Sequence, residues 1–345
     1  MINKLFLEYI WLDGYKTQNL RSKIKVIDHN TELKGPVELD DVPEWNFDGS
    51  STMQAEGKES ECVLRPVRLY HSDDGSKTVY VFCEVMNADE TFHETNTRIK
   101  LAASKLHTDI PGDNDLGFWW GFEQEYFMMI NDNPAGFPNY GYPRAQGEYY
   151  CGVGNDNVKH RDLAEWHMYE CLALGIEITG INAEVALGQW EYQVFSKDTL
   201  KACDDLWMSR YILHKMGESR GITINLAPKP VKGDWNGSGC HTNFSDEILR
   251  SGSNKQYFEL YLNNLAERHQ QHIENYGDQN QERLTGEHET QHINAFSYGV
   301  GDRGASIRIP NSVAKDGWCG YLEDRRPAAN CDPYSVAKLI IEAKP

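Results

Sequence analysis

The sequence predicts an α+β fold, and three observations lead to that prediction. Residues 1–95 alternate apolar and polar side chains over short runs rich in β-branched and aromatic residues, which is typical of strands. Beyond them, segments with helical spacing are separated by short strand-like pieces. The chain has 345 residues, more than one hydrophobic core usually spans. We therefore expect two domains, 1–95 and 96–345.

The individual elements follow from local pattern. LFLEYIWL, KIKVI and KTVYVFCEVM are predicted strands of the first domain. The second domain begins at TFHETNTRIKLAASKLH, where Thr95 or Asn96 can cap a helix. KDTLKACDDLWMSRYILHKMGESRG and YFELYLNNLAERHQQHIENYG are each predicted to form a helix. So is VKHRDLAEWHMYECLALG, whose apolar residues near helical spacing are Leu163, Trp166, Tyr169 and Leu172.

Composition excludes several classes of function. The formal charge is −18 and the pI is about 5.1, which argues against a nucleic-acid or anionic-membrane partner because both need basic patches. The eight cysteines form no C-x-x-C pair and are expected to be reduced. No apolar run reaches membrane-spanning length, and MINKLFLEYI leads straight into polar sequence, so we expect neither membrane span nor secretory signal. The expected location is cytoplasmic.

Several short strands of the second domain have one polar face. Side chains two apart on a strand share a face, so Glu123 and Glu125 in GFEQEY point the same way. Taken alone, that segment is equally well an amphipathic edge strand with a solvated face. The pattern recurs, however, and predicts a polar trough walled by a sheet. The other residues concerned are Glu184, Glu191, Gln193, His241, Asn243, Ser245, Ser306, Arg308, Glu323 and Arg325.

The residue types in this trough restrict its chemistry. Five carboxylates close together would repel unless some were protonated or cations were bound between them. Oxygen-rich ligation with a single imidazole suits Mg²⁺ or Mn²⁺ better than zinc or copper. Arginine forks suit phosphates and carboxylates. Metals opposite arginines are the apparatus of phosphoryl transfer, although any single arginine could instead form a surface salt bridge. The arginines are Arg283, Arg303, Arg308, Arg325 and Arg326.

One further motif has two readings. HETQH, residues 288–292, matches the zinc-binding H-E-x-x-H pattern, which requires a helix. Glycines interrupt the surrounding segment, and it lacks the apolar periodicity of a buried helix. We therefore interpret it as a mobile lid carrying an acid. His269 and His272 are expected to be solvated. The sequence contains no Walker motif.

Six ordered motifs together resemble the glutamine synthetase family. They are WNFDGSS, GFEQEY, NAEV…GQWEYQ, NGSGCHTNFS, RLTGEHET and ASIRIP…YLEDRRP…NCDP, spanning about Leu7 to Val336. The chain is most similar to the shorter, eukaryotic-type class. The resemblance implies a small N-terminal β-grasp domain and a larger catalytic domain with a curved antiparallel sheet flanked by helices. It also implies ATP-dependent condensation of glutamate and ammonia to glutamine through γ-glutamyl phosphate.

The resemblance also implies a role for each matching residue. One metal would be held by Glu125, Glu184 and Glu191, and the other by Glu123, His241 and Glu323. The implied catalytic residues are Asp48, Glu289, Arg303 and Arg308. Glutamate would be bound by Asp234, Trp235, Asn236, Gly237, Arg283, Arg303 and Arg325. ATP would be bound by Trp119, Glu123, Glu191, Asn243, Ser245, Arg303, Arg308, Tyr321 and Arg326.

Asp48 matches the family's ammonium-site acid, which takes a proton before ammonia attacks. In the family this acid completes the active site of a neighbouring subunit, which implies a homo-oligomer of two stacked pentameric rings, a decamer. The chain departs from the usual family pattern at Leu187, Phe195 and Asn311. Two alternatives to the ammonia ligase stay open: a ligase joining glutamate to another small amine, and a non-catalytic scaffold. Intact Asp48 and Glu289 favour ammonia, and the presence of all six metal ligands disfavours the scaffold.

Overall fold

The computed structural model describes residues 4–28, 37–71, 76–104, 117–252 and 254–345. The chain divides into two compact units. The first comprises Met1–Ala103 with Leu172–Gly175, and the second comprises Ser104–Cys171 with Ile176–Pro345.

The first unit contains a mixed sheet. Its five strands lie in the order β2-β1-β5-β4-β3, with β1 parallel to β5 and the other pairs antiparallel. Alternate side chains such as Leu7, Tyr9 and Val81 are fully buried and form its core, as the sequence pattern predicts. The strands are β1 (Lys4–Leu12), β2 (Leu20–Asp28), β3 (Trp45–Asp48), β4 (Glu61–Tyr70) and β5 (Thr78–Asn87).

Two caps in the first unit are set by local sequence. Asp48 ends β3 and caps the short 3₁₀ helix Gly49–Thr52, where its side chain accepts a hydrogen bond from the Ser50 backbone N–H at 3.0 Å. Asn96 caps α1 (Thr97–Ala102) by accepting a bond from the Ile99 N–H at 3.0 Å. The helix predicted from TFHETNTRIKLAASKLH therefore begins as expected, while its residues 105–107 lie outside the described residues.

The second unit is built on a nine-stranded sheet. Its main path runs β12-β13-β14-β11-β6-β9-β8, while β7 and β10 also pair with β6. All pairs are antiparallel except β12 with β13. The strands are β6 (Trp119–Ile130), β7 (Asn133–Pro134), β8 (Ile178–Ala183), β9 (Gln189–Ser196), β10 (Thr223–Asn225), β11 (Cys240–Ser245), β12 (Tyr298–Val300), β13 (Ile307–Ile309) and β14 (Leu322–Asp324).

Helices flank this sheet, and the curled sheet with its helices confirms the predicted α+β class. The predicted helix after Lys197 forms α3, capped by Asp198, and most of its residues are buried. The segment YFELYLNNLAERHQQHIENYG forms two helices instead of one. The first helix ends at Glu267, Arg268 is not helical, and the second helix begins at His269. The helices are α2 (Arg161–Ala173), α3 (Thr199–Glu218), α4 (Glu247–Ser251), α5 (Lys255–Glu267), α6 (His269–Asn275), α7 (Asn311–Lys315) and α8 (Pro333–Glu342).

The α2 helix forms where predicted, but most of its predicted apolar face is exposed. Trp166, Tyr169 and Leu172 are 62%, 61% and 45% exposed. Of the predicted apolar residues only Leu163 is buried, and the rest of the buried face is formed by Ala164, His167 and Cys171. Both faces carry residues at helical spacing, so periodicity alone does not tell which one packs inward.

Within the described ranges, no helix combines the length and apolar character needed to cross a bilayer.

Candidate active site

The strand register brings the predicted polar residues onto one face of the sheet. In the central strand β6, Glu123 lies opposite His241 of β11 and Glu125 lies opposite Glu191 of β9. Further along the sheet, Glu323 of β14 lies opposite Arg308 of β13. Because residues two apart share a face, this register gathers the acids, the imidazole and the arginine on the same side.

These side chains line a single cavity of about 450 Å³. Every residue lining it belongs to the second unit. Of the residues predicted for the site, the cavity is lined by Glu123, Glu125, Glu184, Glu191, Asn236, Gly237, His241, Arg283, Glu289, Arg303, Arg308, Glu323 and Arg325.

Two groups of side chains in the cavity have the spacing of cation ligands. One is Glu123, His241 and Glu323, and the other is Glu125, Glu191 and His241; within each group the ligand atoms lie within 4.8 Å of one another. Glu184 also lines the cavity, where its carboxylate accepts bonds from Asn182 Nδ2 at 2.8 Å and the Val185 N–H at 3.1 Å.

Burial dominates the electrostatics of the acids. It raises the pKa of Glu191 to about 9 and that of Glu184 to about 8, with smaller contributions from the neighbouring carboxylates. It also raises the pKa of Glu125, against the opposing effect of Arg283. At neutral pH Glu184 and Glu191 therefore retain protons unless another positive charge takes their place. A crowded set of carboxylates that would otherwise stay protonated fits divalent cations.

His241 supplies the one nitrogen ligand of the set. Burial lowers its pKa well below the usual value, and Arg325 and Arg283 add to the effect, so the ring is neutral. Its Nδ1 lies 3.3 Å from a Glu123 oxygen, and its Nε2 lies 3.0 Å from Arg283 Nη2. A neutral imidazole among carboxylates is the ligand state that a metal requires.

Arginines surround Glu323. Arg308 Nη1 and Arg325 Nη1 each donate to a different oxygen of its carboxylate, both at 2.6 Å. Arg283 is buried beside them, and burial lowers its pKa to about 10. It can approach His241 because Gly239 has no side chain: a Cβ there would lie 2.5 Å from Arg283 Nη2. The cavity thus has cationic groups next to its acids.

Gln189 is a site residue that the sequence analysis missed. Its Nε2 donates to Glu125 Oε2 at 3.2 Å and to the Gly237 carbonyl at 3.1 Å, so it joins an acid to the turn 234–237. It lies two residues before Glu191 on β9 and therefore shares its face. Extending the alternation by one step would have found it.

Several residues predicted for the nucleotide do not line the cavity. Asn243 is adjacent to it and donates to Glu123 Oε1 at 2.7 Å. The Trp119 ring lies 4.2 Å from the Arg250 guanidinium and 4.4 Å from Lys197 Nζ. Ser245 accepts a bond from Arg250 at 3.0 Å, and Tyr321 is 41% exposed.

Asp234, Trp235 and Asp48 also lie outside the cavity lining. Asp234 and Trp235 belong to the turn whose next residues, Asn236 and Gly237, do line it. The Trp235 ring packs on Phe137. Asp48 belongs to the first unit, where hydrogen bonds from Ser50 and Ser51 lower its pKa.

Arg326 requires a correction. Its side chain is buried and donates to both oxygens of Asp324, at 2.9 and 2.7 Å, so it is not available to a nucleotide. Its Nη1 lies 3.2 Å from His269 Nδ1, and Nη2, which also donates to Asp324, lies 3.1 Å from His272 Nδ1. The expectation that these histidines are solvated is wrong for His272, which is fully buried against Arg326. Both arginines directly follow the end of β14, and of the two only Arg325 lines the cavity.

The HETQH segment is not helical. His288 and Glu289 lie in a turn with φ values of 54° and 59°, so the two histidines do not share a helix face as a zinc site of this pattern requires. Both His288 and Glu289 line the cavity. The predicted acid of the lid therefore reaches the site.

The fold and this cavity define an α+β protein with an acid-rich, arginine-flanked site, and comparisons with known proteins place it in a family. Residues 103–272 match the glutamine synthetase catalytic domain. The chain is 47% identical to a glutamine synthetase of Bradyrhizobium diazoefficiens, over 99% of this chain and 96% of that protein. It is 46% identical to the Saccharomyces cerevisiae glutamine synthetase, over 98% of this chain and 89% of that protein.

A solved structure agrees at the level of fold. The Plasmodium falciparum glutamine synthetase, determined by cryo-electron microscopy, superimposes with a TM-score of 0.75 at 17% identity, covering 99% of this chain and 72% of that one. Identity near one half over almost the whole length is decisive. The chain belongs to the glutamine synthetase family, a family of glutamate–ammonia ligases.

Proposed function

We propose that this protein condenses L-glutamate with ammonia to form L-glutamine, using ATP and passing through γ-glutamyl phosphate. One observation carries the proposal: the cavity brings together six carboxylates, the neutral imidazole of His241 and four arginines. That combination serves both to hold cations and to bind the anionic groups of glutamate and ATP.

Two divalent cations, Mg²⁺ or Mn²⁺, fit the donor set. Glu125, Glu184 and Glu191 would hold one, and Glu123, His241 and Glu323 would hold the other. When bound, the cations would neutralise phosphate charge and polarise the transferred group. The spacing of the ligand atoms supports the set of Glu123, His241 and Glu323, and it places Glu125 and Glu191 within ligand distance of each other. The raised pKa values of Glu184 and Glu191 support their place beside a cation.

In the first step, an oxygen of the glutamate γ-carboxylate attacks the γ-phosphorus of ATP. The bond from that phosphorus to the bridging oxygen breaks, and ADP leaves. Arg308 and Arg303 line the cavity and would offset the charge on the phosphoryl oxygens. Arg283, Arg325 and the turn 234–237 would hold glutamate, and Trp119, Asn243, Ser245 and Tyr321 would hold ATP.

In the second step, ammonia attacks the acyl carbon and the bond to phosphate breaks, which gives glutamine and inorganic phosphate. Ammonium must first lose a proton, and Asp48 would accept it. Its lowered pKa keeps that carboxylate ionised at neutral pH. Glu289 at the cavity wall would help bind ammonium and shield the intermediate from water.

The quaternary structure is part of the proposal. All residues lining the cavity belong to the second unit, whereas Asp48 belongs to the first. We propose that residues 1–95 form the domain carrying Asp48 and residues 96–345 the catalytic domain. Asp48 of one subunit would complete the site of a neighbour in a decamer of two pentameric rings.

The test is phosphate release from ATP with Mg²⁺. It compares glutamate plus ammonium with glutamate alone and with glutamate plus methylamine. We expect release that requires both glutamate and ammonium and is matched by glutamine. Preference for methylamine would indicate a ligase for another amine. No release from a folded protein that binds ATP would indicate a non-catalytic scaffold.

A further inference from the structure

A chain of hydrogen bonds joins the loop that carries Glu289 to the turn that carries Asn236. The Asn236 backbone N–H donates to Gln146 Oε1 at 2.7 Å. Gln146 Nε2 lies 3.2 Å from His288 Nδ1, and His288 Nε2 lies 3.1 Å from Asp234 Oδ1. We refer to Gln146, His288 and Asp234 as the loop relay.

The direction of each bond in the relay follows from its first member. The oxygen of the Gln146 amide accepts the Asn236 N–H, so its NH₂ group faces His288 and donates to Nδ1. Nδ1 is then an acceptor, which assigns the ring proton to Nε2, where it is donated to Asp234. The relay is complete only if the side chain at position 288 accepts a bond from Gln146 and donates one to Asp234.

The relay acts on a constrained piece of backbone. His288 and Glu289 both have positive φ, 54° and 59°, a conformation that residues with side chains rarely adopt. Such a conformation persists where the surroundings hold it, and it occurs often at functional sites. His288 is the residue immediately before Glu289, so the relay holds the loop at the point where the acid enters the cavity.

The other contacts of the loop lead to the same substrate groups. Arg325 Nη2 lies 3.4 Å from the Glu289 carbonyl oxygen, and Thr290 Oγ1 lies 3.3 Å from the Arg283 carbonyl oxygen. At the far end of the relay, the Gly147 N–H donates to the Val185 carbonyl at 2.8 Å. The loop is thus attached to two of the arginines proposed to bind glutamate, Arg283 and Arg325, and, through Gly147, to the backbone beside Glu184.

We propose that Gln146 and His288 are positioning residues that hold Glu289 over the cavity in register with the glutamate-binding turn. This inference rests on the proposed ligase function. If the relay is broken, Glu289 no longer shields the acyl phosphate. Water then attacks the acyl carbon and phosphate leaves, so glutamate is regenerated and ATP is consumed without glutamine.

The first test is the ratio of phosphate released to glutamine formed. Wild type should give a ratio near one, and His288→Ala should raise it at least about twofold. His288→Asn should return it towards one, because the asparagine oxygen can replace Nδ1 as the acceptor from Gln146. His292→Ala is the matched control: it removes an exposed histidine of the same loop that does not line the cavity. An unchanged ratio in His288→Ala, or an equal rise in His292→Ala, would overturn the proposal.

The second test does not depend on catalysis. Hydrogen exchange of the amides of residues 284–296, without substrates, should be about tenfold faster in His288→Ala than in wild type or His292→Ala. Equal exchange in wild type and His288→Ala would overturn the relay. If wild type forms no glutamine, the ligase function fails, and this measurement alone still decides the relay.

Discussion

Individual residues show how burial and partners, more than residue type, decide what each polar group can do. Glu323 and Asp324 are adjacent acids, both almost fully buried. Glu323 faces the cavity between Arg308 and Arg325, whereas Asp324 is held by Arg326 on the opposite side of the strand. Glu323 can therefore act as a cation ligand, whereas Asp324 stabilises the fold through its pairing with Arg326.

Glu323→Ala should lower the rate of glutamine formation by at least about a hundredfold. The substitution removes a proposed cation ligand, and it leaves Arg308 and Arg325 without the carboxylate that they share. Coupled assay of glutamine formation measures the loss. Glu218→Ala, at the exposed end of α3, is the control and should keep full activity. Near-normal activity of Glu323→Ala would contradict the two-cation assignment.

The cation-free protein should lose stability as the pH rises. The pKa values of Glu184 and Glu191 are raised from 4.5 to about 8 and about 9, respectively. Between the unfolded-state pKa and the folded-state pKa of each acid, the folded protein binds more protons than the unfolded protein. Its free energy of unfolding must therefore fall as pH increases through this window. We expect the cation-free Tm to drop between pH 6 and pH 9 by more than the roughly 2–4 °C that corresponds to one kcal/mol.

Two additions make this measurement specific. Glu191→Gln should make the fall of the cation-free Tm with pH less steep, because the glutamine amide does not ionise. Mg²⁺ should raise the Tm more at pH 8.5 than at pH 6, because ionised carboxylates bind the cation better. A cation-free Tm that rises between pH 6 and pH 9 would contradict the claim that Glu184 and Glu191 stay protonated in the folded protein.

Secondary-structure elements show how local pattern becomes a site. The strand β6 pairs with β9 on one side and β11 on the other, so one alternating run brings Glu123 and Glu125 to acids and an imidazole from different parts of the chain. In β14, Glu323 faces the cavity while Asp324 pairs with Arg326, which also contacts His272 of α6. Through Arg326, α6 is joined to Asp324, on the side of β14 opposite Glu323.

Arg326→Met should cost about 3–5 kcal/mol of stability, because it leaves the buried carboxylate of Asp324 without its main partner. Urea unfolding measures the change. The double variant Asp324→Leu, Arg326→Met should recover part of the loss, since no uncompensated charge remains. A single-variant cost below about 1 kcal/mol would mean that this pair does not hold β14 to α6.

At the scale of the whole molecule, the residues proposed for catalysis are divided between the two units of the chain. The cavity is built by the second unit, while Asp48 is presented by a turn of the first. If Asp48 of one subunit serves the cavity of another, the active site exists only in the assembly. That arrangement differs from a site completed within one chain, and mixing two inactive variants separates the two cases.

Asp48→Ala should spare the formation of γ-glutamyl phosphate from glutamate and ATP but cripple glutamine formation, because it removes the acceptor of the ammonium proton. Mixed with Glu323→Ala and reassembled at equal ratio, it should recover about a quarter of the wild-type rate, since that fraction of sites combines an intact cavity with an intact Asp48. Either variant reassembled alone is the control. No recovery after proven subunit exchange would place Asp48 at the cavity of its own chain.

Much of this protein is encoded in local pattern. The α+β class, the paired faces of the strands and the cap at Asn96 follow from residue spacing and side-chain chemistry, which act over a few positions. The acids and arginines of the trough were predicted because strand alternation is the same in sequence and in structure.

Long-range packing decided the rest. Trp166, Tyr169 and Leu172 have helical spacing yet are exposed, because only the tertiary neighbours of α2 determine which face is inside. His272 and Arg326 are polar in sequence and buried in the structure, where Asp324 pairs with Arg326 and the Tyr276 hydroxyl bonds to His272 Nδ1. The relay from Asn236 through Gln146 to His288 joins residues far apart in the chain, and no local pattern can reveal contacts that exist only after the loops come together.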